Sequence, residues 1–264
     1  MLLSYKMKKR DLIVLTAIPL IIFLSVFLFN LRINYFTSLL LVFGIPSLYL
    51  SLKNKEKIRK VGFFSILMGI PIAIIFELLA AFGDKAWIVP NSILPYRLFG
   101  FMPLEDLLWM FFVIYIILIF YEHFCNEKFQ REISVRIRIM NFTLYSITFA
   151  IVLIFFFKPS LLIVPYSYLL AGIILFILPS TLFLLRYSSF IWSFFKVSLF
   201  FFYIHLAFEL IGLKLNHWIF TGNHFIGWVS MLGLRFPIEE LLFVMVLGGF
   251  VCCTYYEFFT NKKL

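Results

Sequence analysis

Met102-Pro103-Leu104-Glu105-Asp106-Leu107-Leu108-Trp109 recurs later in the chain as Phe236-Pro237-Ile238-Glu239-Glu240-Leu241-Leu242-Phe243. In each copy two adjacent carboxylates follow a proline by two residues and open a run of about twenty apolar residues, the length that crosses a bilayer core. Proline favours the first helical positions, so each acidic pair is predicted to sit in the first turn of a membrane helix. Charge placed there is costly and points to a role.

Around these motifs the chain is oily. Its 264 residues are 63% hydrophobic and 14% charged, include 37 phenylalanines, and have a mean hydropathy of +1.04, which together exclude a soluble domain. Eight segments are long enough to span: 11–30, 35–52, 61–82, 103–124, 139–157, 160–185, 190–213 and 237–259. The expected fold class is therefore all-α, a polytopic transmembrane helix bundle of about eight helices. Lys158-Pro159-Ser160 is the only mark between the fifth and sixth segments. The first segment follows Lys6, Lys8, Lys9 and Arg10 but shows no small-residue cleavage site before Asn30, so it reads as a retained helix.

The formal net charge of +10 is a topology signal. Under the eight-helix reading, 17 of the 23 Lys and Arg fall on the side of the two chain ends, leaving Arg32, Lys85, Arg97, Lys158, Lys214 and Arg235 opposite. That bias predicts a multi-pass protein of the cell membrane with both termini cytoplasmic, membrane lipid as partner and no nucleic acid. Cys125, Cys252 and Cys253 form no CxxC pair and read as packing residues. There is no GxGxxG or phosphate-binding glycine loop, Asp11, Asp84 and Asp106 stand apart from one another, and no mid-helix lysine offers a Schiff base, so neither cofactor nor metal is expected.

The recurrence extends well beyond the motif. Phe76-Glu77-Leu78 answers Phe208-Glu209-Leu210, Trp87-Ile88 answers Trp218-Ile219, Asn91 answers Asn223, Gly100 answers Gly233, and Tyr121-Glu122 answers Tyr256-Glu257, at offsets of 131 to 135. The chain reads as a tandem duplication of a four-helix unit, 1–131 and 132–264, in a single integral membrane domain. An even number of helices per unit makes the repeats parallel, related by an axis along the membrane normal. Glu77, Glu105, Asp106, Glu209, Glu239 and Glu240 then lie at one depth, where they are expected to line one cavity. The first two helices carry few polar groups and suggest no chemistry, and Glu122 and Glu257, at the opposite end, are expected to be solvated.

An apolar surrounding disfavours a charged carboxyl, and a second carboxylate nearby disfavours it further, so such a group can hold a proton at neutral pH. Glu105 and Glu239 sit near helix N-termini, where backbone N–H groups favour the anion; Glu77 and Glu209, toward C-terminal ends, feel the opposite field. The set suits a general acid paired with a base or cation stabiliser. Helix capping by the motif pairs and interhelical hydrogen bonding by Glu77 and Glu209 would explain the same residues without chemistry. Trp87, Trp109, Trp218, Trp228 and Phe243 flank the acids and could face substrate, since aromatic faces stabilise cations. His205, four residues before Glu209 where the first half has Ala73, predicts a Glu–His pair on one helix face, structural or a proton relay.

The twice-repeated unit of Glu, then Trp-Ile, then Gly and Pro-x-Glu-(Asp/Glu) opening a hydrophobic helix resembles the membrane-integral lycopene cyclase family, built from two homologous small subunits or from their fusion. The resemblance covers 61–124 and 190–259, with Asp106 in place of a second Glu. It implies a lycopene cyclase that turns acyclic carotenoid end groups into rings, lycopene to β-carotene, by a proton-initiated and redox-neutral isomerisation without cofactor. Fusion of the repeats implies no obligatory second subunit. The alternative class is a proton-coupled transporter of a small solute, which intramembrane acids also suit.

Overall fold

The structure, a computed structural model, describes residues 2–125 and 135–259, with side chains for 8–125 and 139–257. Among the described residues eight helices are long and apolar enough to cross a membrane: α1 (Lys8–Phe29), α2 (Tyr35–Lys53), α3 (Lys55–Gly83), α4 (Leu104–Phe124), α5 (Ile139–Phe157), α6 (Ser167–Arg186), α7 (Ser188–Lys214) and α8 (Ile238–Glu257). The protein is an all-α polytopic bundle with only short strands.

Local chemistry sets the helix limits. Asn34 caps α2, its side chain accepting from the Thr37 N–H at 2.8 Å. Pro103, extended at φ −68° and ψ 150°, delivers the chain into α4, so Glu105 and Asp106 occupy its first turn. The sixth helix starts at Ser167, later than the sequence suggests, and Pro159–Leu162 form a separate 3-10 turn. Pro165 explains the break, because it lacks an N–H and biases Val164 away from the helical region. Helices α2 and α6 share one irregularity: π turns at Leu40–Gly44 and Ile173–Ile177 lie just before Pro46 and Pro179. A proline inside a helix cannot donate to the carbonyl one turn back, and a π turn accommodates the fault.

The most extensive packing is α3 on α4 and α7 on α8. Helix α2 packs on α4 and α6 on α8, while α1 lies against α7 and α5 against α3. The rim helix α5 has only 6% of its span buried and turns Phe142, Phe149, Phe156 and Phe157 outward. Its face is apolar enough for lipid.

The connections α3–α4 and α7–α8 carry short strands, which the sequence reading did not anticipate. Strands β1 (Trp87–Ile88), β2 (Arg97–Leu98) and β3 (Met102–Pro103) lie in the first, and β4 (Ile219–Phe220), β5 (Trp228–Met231) and β6 (Leu234–Pro237) in the second. Hairpins β2–β3 and β5–β6 are antiparallel, and Leu232 and Gly233, both at positive φ (53° and 77°), make the two-residue turn of the second. Strands β1 and β4 join the two connections, with Trp87 opposite Phe220 and Ile88 opposite Ile219. Backbone folded against oil must find such partners, which is why these segments are not loose loops.

At the opposite end of the bundle Glu122 is not solvated. It is buried, accepts from the Tyr255 hydroxyl at 2.5 Å, and has Lys57 and Lys60 ammonium groups at 4.0 and 3.9 Å. Glu257 is partly exposed and pairs with Arg186 at 3.8 Å. Asp11, also buried, gathers the Tyr49 hydroxyl, Lys53 and the His123 Nε2. Polar side chains next to an apolar core were predictable only as pairs in space, and these pairs cross 38 to 133 residues of sequence.

Candidate active site

The two acidic helix starts do not use their paired carboxyls alike. Glu105 is fully buried and turns back under the connection, where its Oε1 accepts from the Ile93 and Leu94 N–H groups at 2.7 and 2.9 Å. Glu239, equally buried, accepts from the Ile226 N–H at 2.6 Å. These two acids are brackets for the connecting segments, not cavity walls, which corrects the expectation of six carboxyls facing one space. One residue later in each helix the direction reverses by about 100°, the turn per residue of an α-helix, and Asp106 and Glu240 face inward.

A cavity of about 120 Å³ lies among the helices, and Glu77, Asp106, Glu209 and Glu240 all line it. Each has a named partner. The Tyr35 hydroxyl donates to Asp106 Oδ1 at 2.8 Å and the Tyr168 hydroxyl to Glu240 Oε1 at 2.5 Å. The Trp87 indole N–H donates to Glu77 Oε1 at 3.3 Å, and the Trp218 indole N–H to Glu209 Oε1 at 2.9 Å. Glu77 and Asp106 are electrostatic neighbours, as are Glu209 and Glu240. Among the described residues no lysine or arginine belongs to the lining, and the Arg97 guanidinium acts on Asp106 from outside it.

Much of the remaining wall is aromatic. Trp87 meets the Tyr168 ring edge-on at 5.2 Å and Trp218 meets Tyr35 edge-on at 5.6 Å, so each tyrosine that bonds an acid from its own half of the sequence touches a tryptophan from the other half. Trp109, Phe243, Phe76 and Phe208 also line the cavity, as do aliphatic side chains such as Met110 and Leu247. Two glycines make room for these rings: a Cβ on Gly172 would lie 2.0 Å from the Phe243 ring, and one on Gly212 would lie 2.1 Å from that of Trp218. Trp228 is elsewhere, its ring 4.5 Å from the Arg235 guanidinium.

His205 lines the cavity but makes no pair with Glu209. Its Nδ1–H donates to the Phe201 carbonyl at 2.8 Å, one turn back on its own helix. Nearby, His217 bonds the Ser38 hydroxyl through Nε2 at 2.9 Å, and burial pushes its imidazole down to about 4. Cys252 and Cys253 are buried packing residues, and burial pushes the Cys125 thiol up. Among the described residues no three of His, Cys, Asp and Glu gather as a metal-ligand set.

Sequence reasoning missed Tyr35 and Tyr168. Both stand at the start of the second helix of their half of the sequence, 133 residues apart and within the repeat offset, and Tyr35 lies in a helix that looked free of chemistry. The offset was the signal that could have found them. No protein-family model, no curated protein and no solved structure matches this chain.

Proposed function

We propose that this protein is a membrane-integral carotenoid cyclase that closes acyclic isoprenoid end groups into rings, with lycopene to β-carotene as the reaction. The observation that carries the reading is the cavity lined by Glu77, Asp106, Glu209 and Glu240, with no lysine or arginine among its described lining residues. Glu77 with Asp106 and Glu209 with Glu240 are neighbouring carboxyls held out of water, and two adjacent acids in such a setting favour keeping a proton to give. Tyrosine and tryptophan donors on one oxygen of each acid hold the carboxyls in fixed orientations. The aromatic walls suit a hydrocarbon guest and stabilise a carbocation once it forms.

In this reading an acid O–H adds its proton to the terminal trisubstituted double bond, leaving a tertiary cation. The electron pair of an internal double bond closes the ring, and loss of a ring proton restores an alkene. Atoms and electrons balance with no oxidant, reductant or nucleotide. Glu105 and Glu239 serve the geometry by fixing the connections.

The fold supports the duplicated architecture as part of the proposal. Ile88 pairs with Ile219, its own counterpart in the other half, in an antiparallel arrangement, and a residue facing its own copy is what a two-fold axis requires. Helix contacts repeat in the same sense, α1 on α7 and α5 on α3. We read both termini as cytoplasmic from the basic excess at that end.

Expression in a lycopene-accumulating bacterium tests the function. Cyclic carotene is expected from the chain, and red lycopene from Glu209→Gln and Asp106→Asn at equal protein level. Unchanged lycopene with well-folded protein would reject the reading, and proton uptake coupled to a solute in proteoliposomes would install the transporter in its place.

A further inference from the structure

The ionisable groups of the cavity wall are paired position for position between the two halves of the sequence, with one exception. Glu77 answers Glu209, Asp106 answers Glu240, Tyr35 answers Tyr168 and Trp87 answers Trp218, but His205 stands where the first half has Ala73. The histidine is 2% exposed. Because a carbonyl only accepts, the bond to Phe201 places the ring proton on Nδ1 and leaves Nε2 with a bare lone pair. Among the described residues Nε2 has no hydrogen-bond partner, and neither does Asp106 Oδ2, whose other oxygen is held by Tyr35. A buried polar atom left unpaired is costly, and one on a residue that lines a cavity calls for a role there.

Resting on the cyclase reading above, we propose that Asp106 Oδ2 gives the proton that starts ring closure and that His205 Nε2 takes the proton that ends it. The Asp106 O–H bond breaks as a C–H bond forms at the terminal alkene. The new carbon–carbon bond forms from the internal alkene pair, and the cation moves to the neighbouring ring carbon. The C–H bond beside that carbon then breaks, its pair becomes the ring double bond, and the proton joins Nε2. When the product leaves, the imidazolium proton returns to the Asp106 carboxylate. A proton beside a carbocation is so acidic that a neutral imidazole suffices, and position decides which proton is lost. His205 is accordingly the residue that selects the position of the ring double bond.

The test compares the chain with His205→Ala, which supplies the residue of the first half, and the volume-conserving His205→Phe, in lycopene-accumulating bacteria. Total cyclised pigment and the ratio of β, ε and γ rings are read by chromatography, with protein level and thermal midpoint measured alongside. The expected result is a drop in cyclised product of about 100-fold or more, with the remaining rings shifted to a mixture of double-bond positions. A structural role would lower yield without moving that ratio. Wild-type yield, or a lower yield with an unchanged ring ratio, in whichever of the two variants folds overturns the assignment. Absence of cyclic product from the unsubstituted chain would instead overturn the cyclase reading itself.

Discussion

Glu105→Ala separates the bracket role from the chemical one. Its carboxylate takes two backbone N–H groups, from Ile93 at 2.7 Å and Leu94 at 2.9 Å, at a fully buried position. Alanine leaves both donors without an acceptor, at about 1–3 kcal/mol each and so about 2–6 kcal/mol in all. At about 2–4 °C per kcal/mol for a chain of this size, the thermal midpoint should fall by at least about 4 °C. Glu239, with one such bond from Ile226, should lose about half as much as alanine. Glu105→Gln keeps an oxygen acceptor and should lose less than Glu105→Ala while still converting substrate. Unfolding of the purified protein at one scan rate in one detergent, followed by intrinsic tryptophan fluorescence, reads the series. An unchanged midpoint for Glu105→Ala, or equal damage from alanine and glutamine, would refute the bracket assignment.

Removing the Tyr168 hydroxyl as Tyr168→Phe takes away a bond to a carboxyl worth about 1.5–3 kcal/mol if ionised, so conversion should fall about 10- to 100-fold with little change in fold; Tyr35→Phe should behave alike, and pigment yield checks both. Gly172→Ala drives a methyl group toward the Phe243 ring, which borders the cavity, and should cost about 1–3 kcal/mol together with a loss of conversion greater than that of an alanine placed on the lipid face of α5. His217 gives a pH dependence. Its folded value, near 4, lies below the 6.5 of the free side chain, so the folded chain prefers the neutral ring. That contribution is fully present above pH 6.5 and is lost as pH falls from 6.5 toward 4, by about 1–2 kcal/mol at pH 5 after solvent screening. His217→Gln should therefore show a smaller decline in midpoint between pH 7 and pH 5, and parallel curves would contradict this.

The helices were legible because oil-length runs and proline positions are local properties of the sequence. The connections were not: β1 pairs with β4 across 131 residues, and nothing local in Trp87-Ile88 announces a strand. The sequence marked all six acids, and the structure places four of them on the cavity and two against backbone N–H groups. Glu105 and Asp106 are neighbours, and a one-residue step around the helix sends one to backbone N–H groups of its own connection and the other to the cavity. That division depends on how the connection folds back, which the motif alone does not encode. Glu122 was misplaced for the same reason, since its partners Lys57, Lys60 and Tyr255 come from other helices. Tyr35 and Tyr168 carried the repeat offset, but an isolated tyrosine at a helix start is commonplace in membrane proteins and drew no attention.

The measurement that bears most directly on proton-initiated ring closure is the mass of the product formed in deuterium oxide. Purified protein in lipid vesicles loaded with lycopene, with no nucleotide, flavin or metal added, should release cyclic carotene carrying one deuterium per ring, because the proton that starts closure comes from a solvent-exchanged carboxyl and stays on the ring. Asp106→Asn should give neither ring nor label. Cyclic product without deuterium, or no cyclic product from folded protein, would contradict the account.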